Sequence, residues 1–323
     1  MTELGLGLQT NKPAGAYAAL AREAEAAGFD VVTTFNDLWF QPALPALLEI
    51  AHATERVRIG PTCLNPFTVH PVEIAGQVAA LDSASHGRAF LGLAAGAWLD
   101  ELGVDTSSPV TVIGEAWEIV RRLLAHDEGG FEGKRFSLPR GARLRYGVER
   151  DEVPLLVGTW APRLSAFAGE HATELKLGGS ANPDLVPVAR GRIGNDRVGI
   201  VVGAVTVVDE DGDRARAAAR TEVAMYIDVV GALDPTTDVD PALLERIGER
   251  IAAGDDVGAG ALIPDDLLRR FAFAGTPAEV AAHAEAIFDA GALRVDFGTP
   301  HGIDERRGVE LLCREVLPLL RVS

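Results

Sequence analysis

Cysteine is nearly absent from this chain: 323 residues contain two, Cys63 and Cys313. Two cysteines cannot build a disulfide framework, so the expected compartment is the reducing cytoplasm. Long apolar runs are missing too. No stretch reaches the roughly 18 residues of a membrane helix. The opening MTELGLGLQT has neither a positive n-region nor an apolar core, so no secretory leader is expected. Positive charge is scarce, with 30 Lys and Arg against 47 Asp and Glu and a net charge of −17. Nucleic acid and anionic membranes both call for basic patches, so neither is an expected partner. The acidic balance reads as a solubility surface, or as the mark of a salt-adapted proteome. Aromatics make up 6% of the chain, which leaves most burial to Ala, Gly, Leu and Val.

Several catalytic signatures are also missing. The sequence has no GxSxG elbow, no HExxH pair and no GxxxxGK[ST] phosphate loop. Its seven histidines do not fall at metal-ligand spacing, so no metal site is expected. Cys63 has no neighbouring His and reads as a small buried hydrophobe. The parts for hydrolysis or phosphoryl transfer are therefore lacking.

What is present is a rhythm. Eight apolar runs, Leu4–Leu8, Val31–Phe35, Val57–Gly60, Ala89–Leu93, Leu155–Gly158, Glu174–Leu177, Val198–Val208 and Arg294–Phe297, alternate with helical stretches. Strand–helix alternation implies parallel pairing. Eight units in a chain of this length predict an α/β fold, a (β/α)8 TIM barrel in one domain over residues 1–323. Two segments interrupt it. Residues 127–150, rich in Gly and Arg, read as an inserted loop or hairpin, and 211–273 read as a helical insertion before the last strand. Thr276 and Pro277 then open a helix as N-cap and first-turn proline.

Such barrels carry their chemistry on the turns that follow the strands. Here those turns are built from small residues: Pro61–Pro66, Ala94–Ala97, Gly158–Pro162 and Leu177–Ser180. Small residues let a flat ring or a phosphate approach the backbone, and the helix starting near Pro162 offers N–H groups to an anion. Each turn alone reads better as a tight connection. Together, with few charges among them, they read as a cradle for a large planar cofactor. Trp39, Phe40, Trp98 and Trp160 fall on the same turns and are candidate walls of a substrate pocket, with packing as the alternative.

The segment IGPTCLNPFTVHP (Ile59–Pro71) resembles the strand-three signature of the bacterial luciferase-like superfamily, and within it the coenzyme F420-dependent methylenetetrahydromethanopterin reductase branch. Three further segments agree in order: AALDSASHGRAFLGLAAG, PLLVGTWAPRLSAFAGEHATELKLGGSANP and FAFAGTPAEVAAHAEAIFDAGALRVDFGTPHGID. The resemblance covers essentially the whole chain. It implies an oxidoreductase, a homodimer or homotetramer, that moves hydride between F420 and a small-molecule substrate. It also implies a cis Thr62–Cys63 peptide behind the ring. Asn36, Asp37, Asn65, Ala95 and Gly96 would line the ring, and Gly158, Thr159, Ala161, Pro162, Gly178 and Gly179 would hold the phosphate-bearing tail. The departures fall on the acid groups. The reductases' glutamate after strand one is Gln9 here, the acid after the strand-four turn is Ala97, and the Asp-His pair after strand two is Asn36-Asp37. Asp37 is left as the candidate general acid, beside Gln9; a loop Asp capping the next helix is the other reading. An FMN-dependent monooxygenase and a non-catalytic flavin-binding relative remain open as alternatives.

Overall fold

The computed structural model describes residues 2–320. Its eight main strands are β1 (Glu3–Leu8), β2 (Val31–Thr34), β3 (Arg58–Pro61), β4 (Leu91–Ala94), β5 (Leu155–Gly158), β6 (Glu174–Gly178), β7 (Gly199–Val208) and β8 (Arg294–His301). Nearly all their residues are buried, as expected for parallel strands covered on both faces. Hydrogen bonding orders them β3-β2-β1-β8-β7-β6-β5-β4, and the bridges Ile59↔Ala89 and Leu64↔Leu93 join the segment of β3 to that of β4. This cyclic order is that of a (β/α)8 barrel.

Internal packing divides the chain into two compact units. One comprises Leu8–Glu25 and Asp30–Leu175. In it α2 (Ala43–Ala53), α3 (Pro71–Ala84), α4 (Pro109–Leu124) and α5 (Pro162–His171) follow β2, β3, β4 and β5. The 127–150 segment is a short hairpin, Phe131–Glu132 against Ser137–Leu138. Glu115 of α4 accepts three backbone N–H bonds from Lys134, Arg135 and Phe136. Burial pushes this carboxyl up, but the three donors and Lys134 hold it below the ordinary carboxylate value. At the segment's far end Arg150 Nη2 donates to buried Asp82 at 2.5 Å and to the Ala89 carbonyl at 2.7 Å.

The other unit comprises residues 2–7, 26–29 and 176–320 of the described chain. At the start of its strands lies a buried charge cluster. Asp296 of β8 accepts from Lys176 Nζ at 2.6 Å and from Arg294 Nε at 2.8 Å. Burial would raise the Asp296 pKa, yet the two cations hold it below the carboxylate range. Gly5 leaves the room: a Cβ there would lie 1.9 Å from Asp296 Oδ1. Close packing at this N-terminal end of the strands serves stability.

Most strand ends shift by one or two residues from the sequence expectation, and two differences are larger. Residues 211–273 are helical, as read, through the helix Gly212–Ala224 and four shorter ones: Ile227–Val230, Pro241–Ala252, Asp256–Gly260 and Asp265–Phe271. The last two residues of that stretch instead begin a strand, Ala272–Gly275, parallel to β7. Phe271, Ala272 and Phe273 are all buried, and a continuous apolar run fits a covered sheet better than an amphipathic helix. The final strand also runs on past Phe297 to His301, with a register shift between Gly298 and His301. Thr276 and Glu279 form a full capping box on the helix Pro277–Asp289.

Candidate active site

Twelve of the fourteen site residues read from the sequence fall in the first unit, on loops after β1 to β5. Gln9 follows β1, and its Nε2 donates to Asp37 Oδ2 at 2.9 Å. The Gln9 oxygen is used locally, accepting from Thr10 N at 2.8 Å, which fixes the amide with its NH2 toward Asp37. Asp37 is partly buried, and burial pushes its pKa up despite the opposing bond from Gln9. It forms no ion pair among the described residues. Asp37 does not cap α2; its neighbour Asn36 does, with Oδ1 accepting from Ala43 N at 3.1 Å. The helix-capping reading therefore belongs to Asn36, and the Asp37 carboxyl is left to other work.

After β3 the chain bulges. The Thr62–Cys63 peptide is cis, as the resemblance implied. Thr62 N donates to Thr34 O and its hydroxyl to Thr33 Oγ1, which ties the bulge to β2. Asn65 is buried, its Oδ1 accepting from Thr68 N and Oγ1. Ala95 and Gly96 follow β4, with Gly96 at φ 83° in the region that favours glycine. Gly158 ends β5 close to the bulge: a Cβ there would stand 3.0 Å from Cys63 Sγ.

Beside these turns lies a cleft of about 300 Å³ lined by Ala95, Ser108, Thr111, Thr159, Ala161 and Arg163, among others. Two helix starts open onto it. Both α4 and α5 have Pro in the first turn, no acid there and no side-chain cap. Their orphan N–H groups and positive dipole ends favour an anion. Arg163, exposed in the first turn of α5, forms no ion pair among the described residues. Sequence reading found Thr159, Ala161 and Pro162 here but missed Arg163, Ser108 and Thr111; the 158–163 turn pointed to the first, and nothing in the sequence pointed to a second helix start.

Gly178 and Gly179 belong to the other unit. Gly179 N donates to Gly203 O at 2.7 Å, and a Cβ at Gly178 would meet nothing within 4 Å. The turn they open is braced by polar groups that sequence reading passed over. Asn182 Nδ2 donates to buried Asp234 at 2.7 Å, and His283 Nε2 meets the Ala181 carbonyl at 2.8 Å. Of the four candidate wall aromatics, Trp39, Phe40 and Trp98 are exposed. Trp160 departs from that reading: it is buried, and packing holds it. No helix among the described residues is long and apolar enough to cross a membrane, and no group of His, Cys, Asp and Glu among them could hold a metal ion.

Comparison with known proteins agrees with this geometry. A 5,10-methylenetetrahydromethanopterin reductase of Methanopyrus kandleri is 28% identical over 98% of this chain and 99% of its own. An F420-dependent glucose-6-phosphate dehydrogenase of Kineococcus radiotolerans is 26% identical over 95% and 93%. The solved structure of the coenzyme F420-dependent tetrahydromethanopterin reductase from Methanopyrus kandleri superposes with a TM-score of 0.89, at 27% identity and 99% coverage of both chains. The family model for luciferase-like monooxygenases matches residues 1–294, and the chain belongs to that family.

Proposed function

We propose that the chain is an F420-dependent oxidoreductase acting on a small organic substrate. The observation that carries this reading is the cleft where two uncapped, acid-free helix starts and an unpaired arginine converge, in a protein with a net charge of −17. Such a site fits the phosphate-bearing tail of a deazaflavin. Thr159, Ala161, Pro162 and Arg163 would hold that tail, with Gly158 giving close approach. Asn36, Thr62, Cys63, Asn65, Ala95 and Gly96 would border the ring. Gly178 and Gly179 are assigned to the tail on the resemblance. F420 supplies hydride chemistry when bound.

The chain's own work is positioning and proton handling. The raised pKa keeps Asp37 protonated to higher pH than an ordinary carboxyl, so its O–H can donate to the atom that gains negative charge, and its carboxylate can take a proton in the reverse direction. Gln9 has no proton to release; it orients Asp37. A single domain, a cytoplasmic location and a homodimer or homotetramer complete the proposal, and they are carried by composition and resemblance. Equilibrium dialysis against F420 and FMN tests the reading. Reversible F420 binding is expected; stoichiometric FMN with no F420 would favour the monooxygenase alternative instead.

A further inference from the structure

Four of the loops after strands in the first unit are almost empty of cations. In the first unit, segments 9–15, 35–42, 62–70 and 95–108 contain one Lys and no Arg. That Lys12 is buried, its ammonium donating to Gln9 O at 3.3 Å and Asn11 Oδ1 at 3.1 Å. His70 is occupied as the cap of α3, accepting from Val72 N. The same segments carry Asp37, Asp100, Glu101 and Asp105. Asp105 meets Arg135 at 3.2 Å, and the other three form no ion pair among the described residues.

Apolar surface accompanies this acidity. Trp39, Phe40, Trp98 and Leu102 are all exposed, Trp39 at 75%. Trp39 Nε1 donates to Glu101 Oε2 at 3.3 Å, which links the loop after β2 to the 3-10 helix Leu99–Leu102 after β4. Indole faces beside carboxylates attract apolar groups and cations. An anion brought among them would lose water without gaining a counter-charge. The unpaired cation near the candidate site, Arg163, lies instead at the α5 cleft.

We infer that the substrate of this site is uncharged or cationic, with an apolar or aromatic body, and that anions such as sugar phosphates and carboxylates are refused. The inference rests on the functional reading above and sets this chain apart from relatives named for glucose 6-phosphate. Three probes of one shape test it: acetophenone, its para-carboxylate and its para-trimethylammonium derivative, titrated by calorimetry and tryptophan fluorescence. Acetophenone and the cation are expected to bind saturably, the carboxylate about tenfold or more weakly, a gap of about 1.4 kcal/mol. An Asp100→Asn, Glu101→Gln double variant should narrow that gap. A carboxylate that binds as tightly as acetophenone, or no saturable binding by any probe, overturns the inference. F420 binding is measured separately. The expected probe order without F420 binding leaves this inference standing and removes the proposed function; F420 binding with the carboxylate preferred does the reverse.

Discussion

Two regions of the first unit, both formed by loops after strands, have opposite electrostatics. Around Thr159–Arg163 and Ser108–Thr111, polarity comes from backbone: orphan N–H groups of α4 and α5 and one guanidinium, with no carboxylate among the lining residues. Around Gln9, Asp37, Trp39 and Trp98, polarity comes from acids and the rest is aromatic. The first region suits a ligand's anionic end and has no group able to move a proton. The second has a carboxyl whose pKa is raised by burial and no accessible cation. In the proposed function the first region holds and the second reacts, and substitutions should separate the two.

The largest effect is expected at the reacting region. Asp37→Asn keeps the shape and removes the acid, so turnover should fall by about two to four orders of magnitude, while F420 affinity stays unchanged in a fluorescence titration. At the cleft the reverse should hold. Arg163→Glu replaces an attractive charge with a repulsive one, and a charge-assisted bond is worth about 1.5–3 kcal/mol. F420 affinity should drop by roughly 10- to 100-fold, with turnover at saturating cofactor unchanged. A variant that moved both quantities together would break the separation.

The pH dependence sharpens it further. Asp37 has a raised pKa, so its protonated form persists above the ordinary carboxyl range and is lost as pH rises through that value. Substrate reduction should therefore fall on the alkaline side, and a pH–rate profile of Asp37→Asn should lack this limb. The smallest effect is expected from Glu101→Gln. The bond from Trp39 is exposed, and such contacts are worth about 1 kcal/mol or less. KM should shift by no more than about fivefold, with Tm unchanged.

The barrel was legible because parallel strands buried on both faces appear as uniform apolar runs between helices, and Gly, Pro and Thr mark the joints. The strand Ala272–Gly275 was not, since AFAG directly after a short helix has no period of its own and only its place beside β7 makes it a strand. In the candidate site, the turns that hold Asn65 and Gly158 could be read from their position after a run, whereas Asp37 was named on the resemblance. Arg163 was only half legible: its turn after β5 could be read, but nothing in the sequence showed the second helix start that shares its cleft. The Gln9–Asp37 bond likewise joins residues 28 positions apart, a pairing that only the strand order β1–β2 brings together.

The most direct test compares F420 with its deazaflavin chromophore lacking the phosphate-bearing tail, both titrated against the wild-type protein. If the α4–α5 cleft holds the anionic tail, F420 should bind about tenfold or more tightly than the tailless chromophore. Equal affinity for the two would contradict the account.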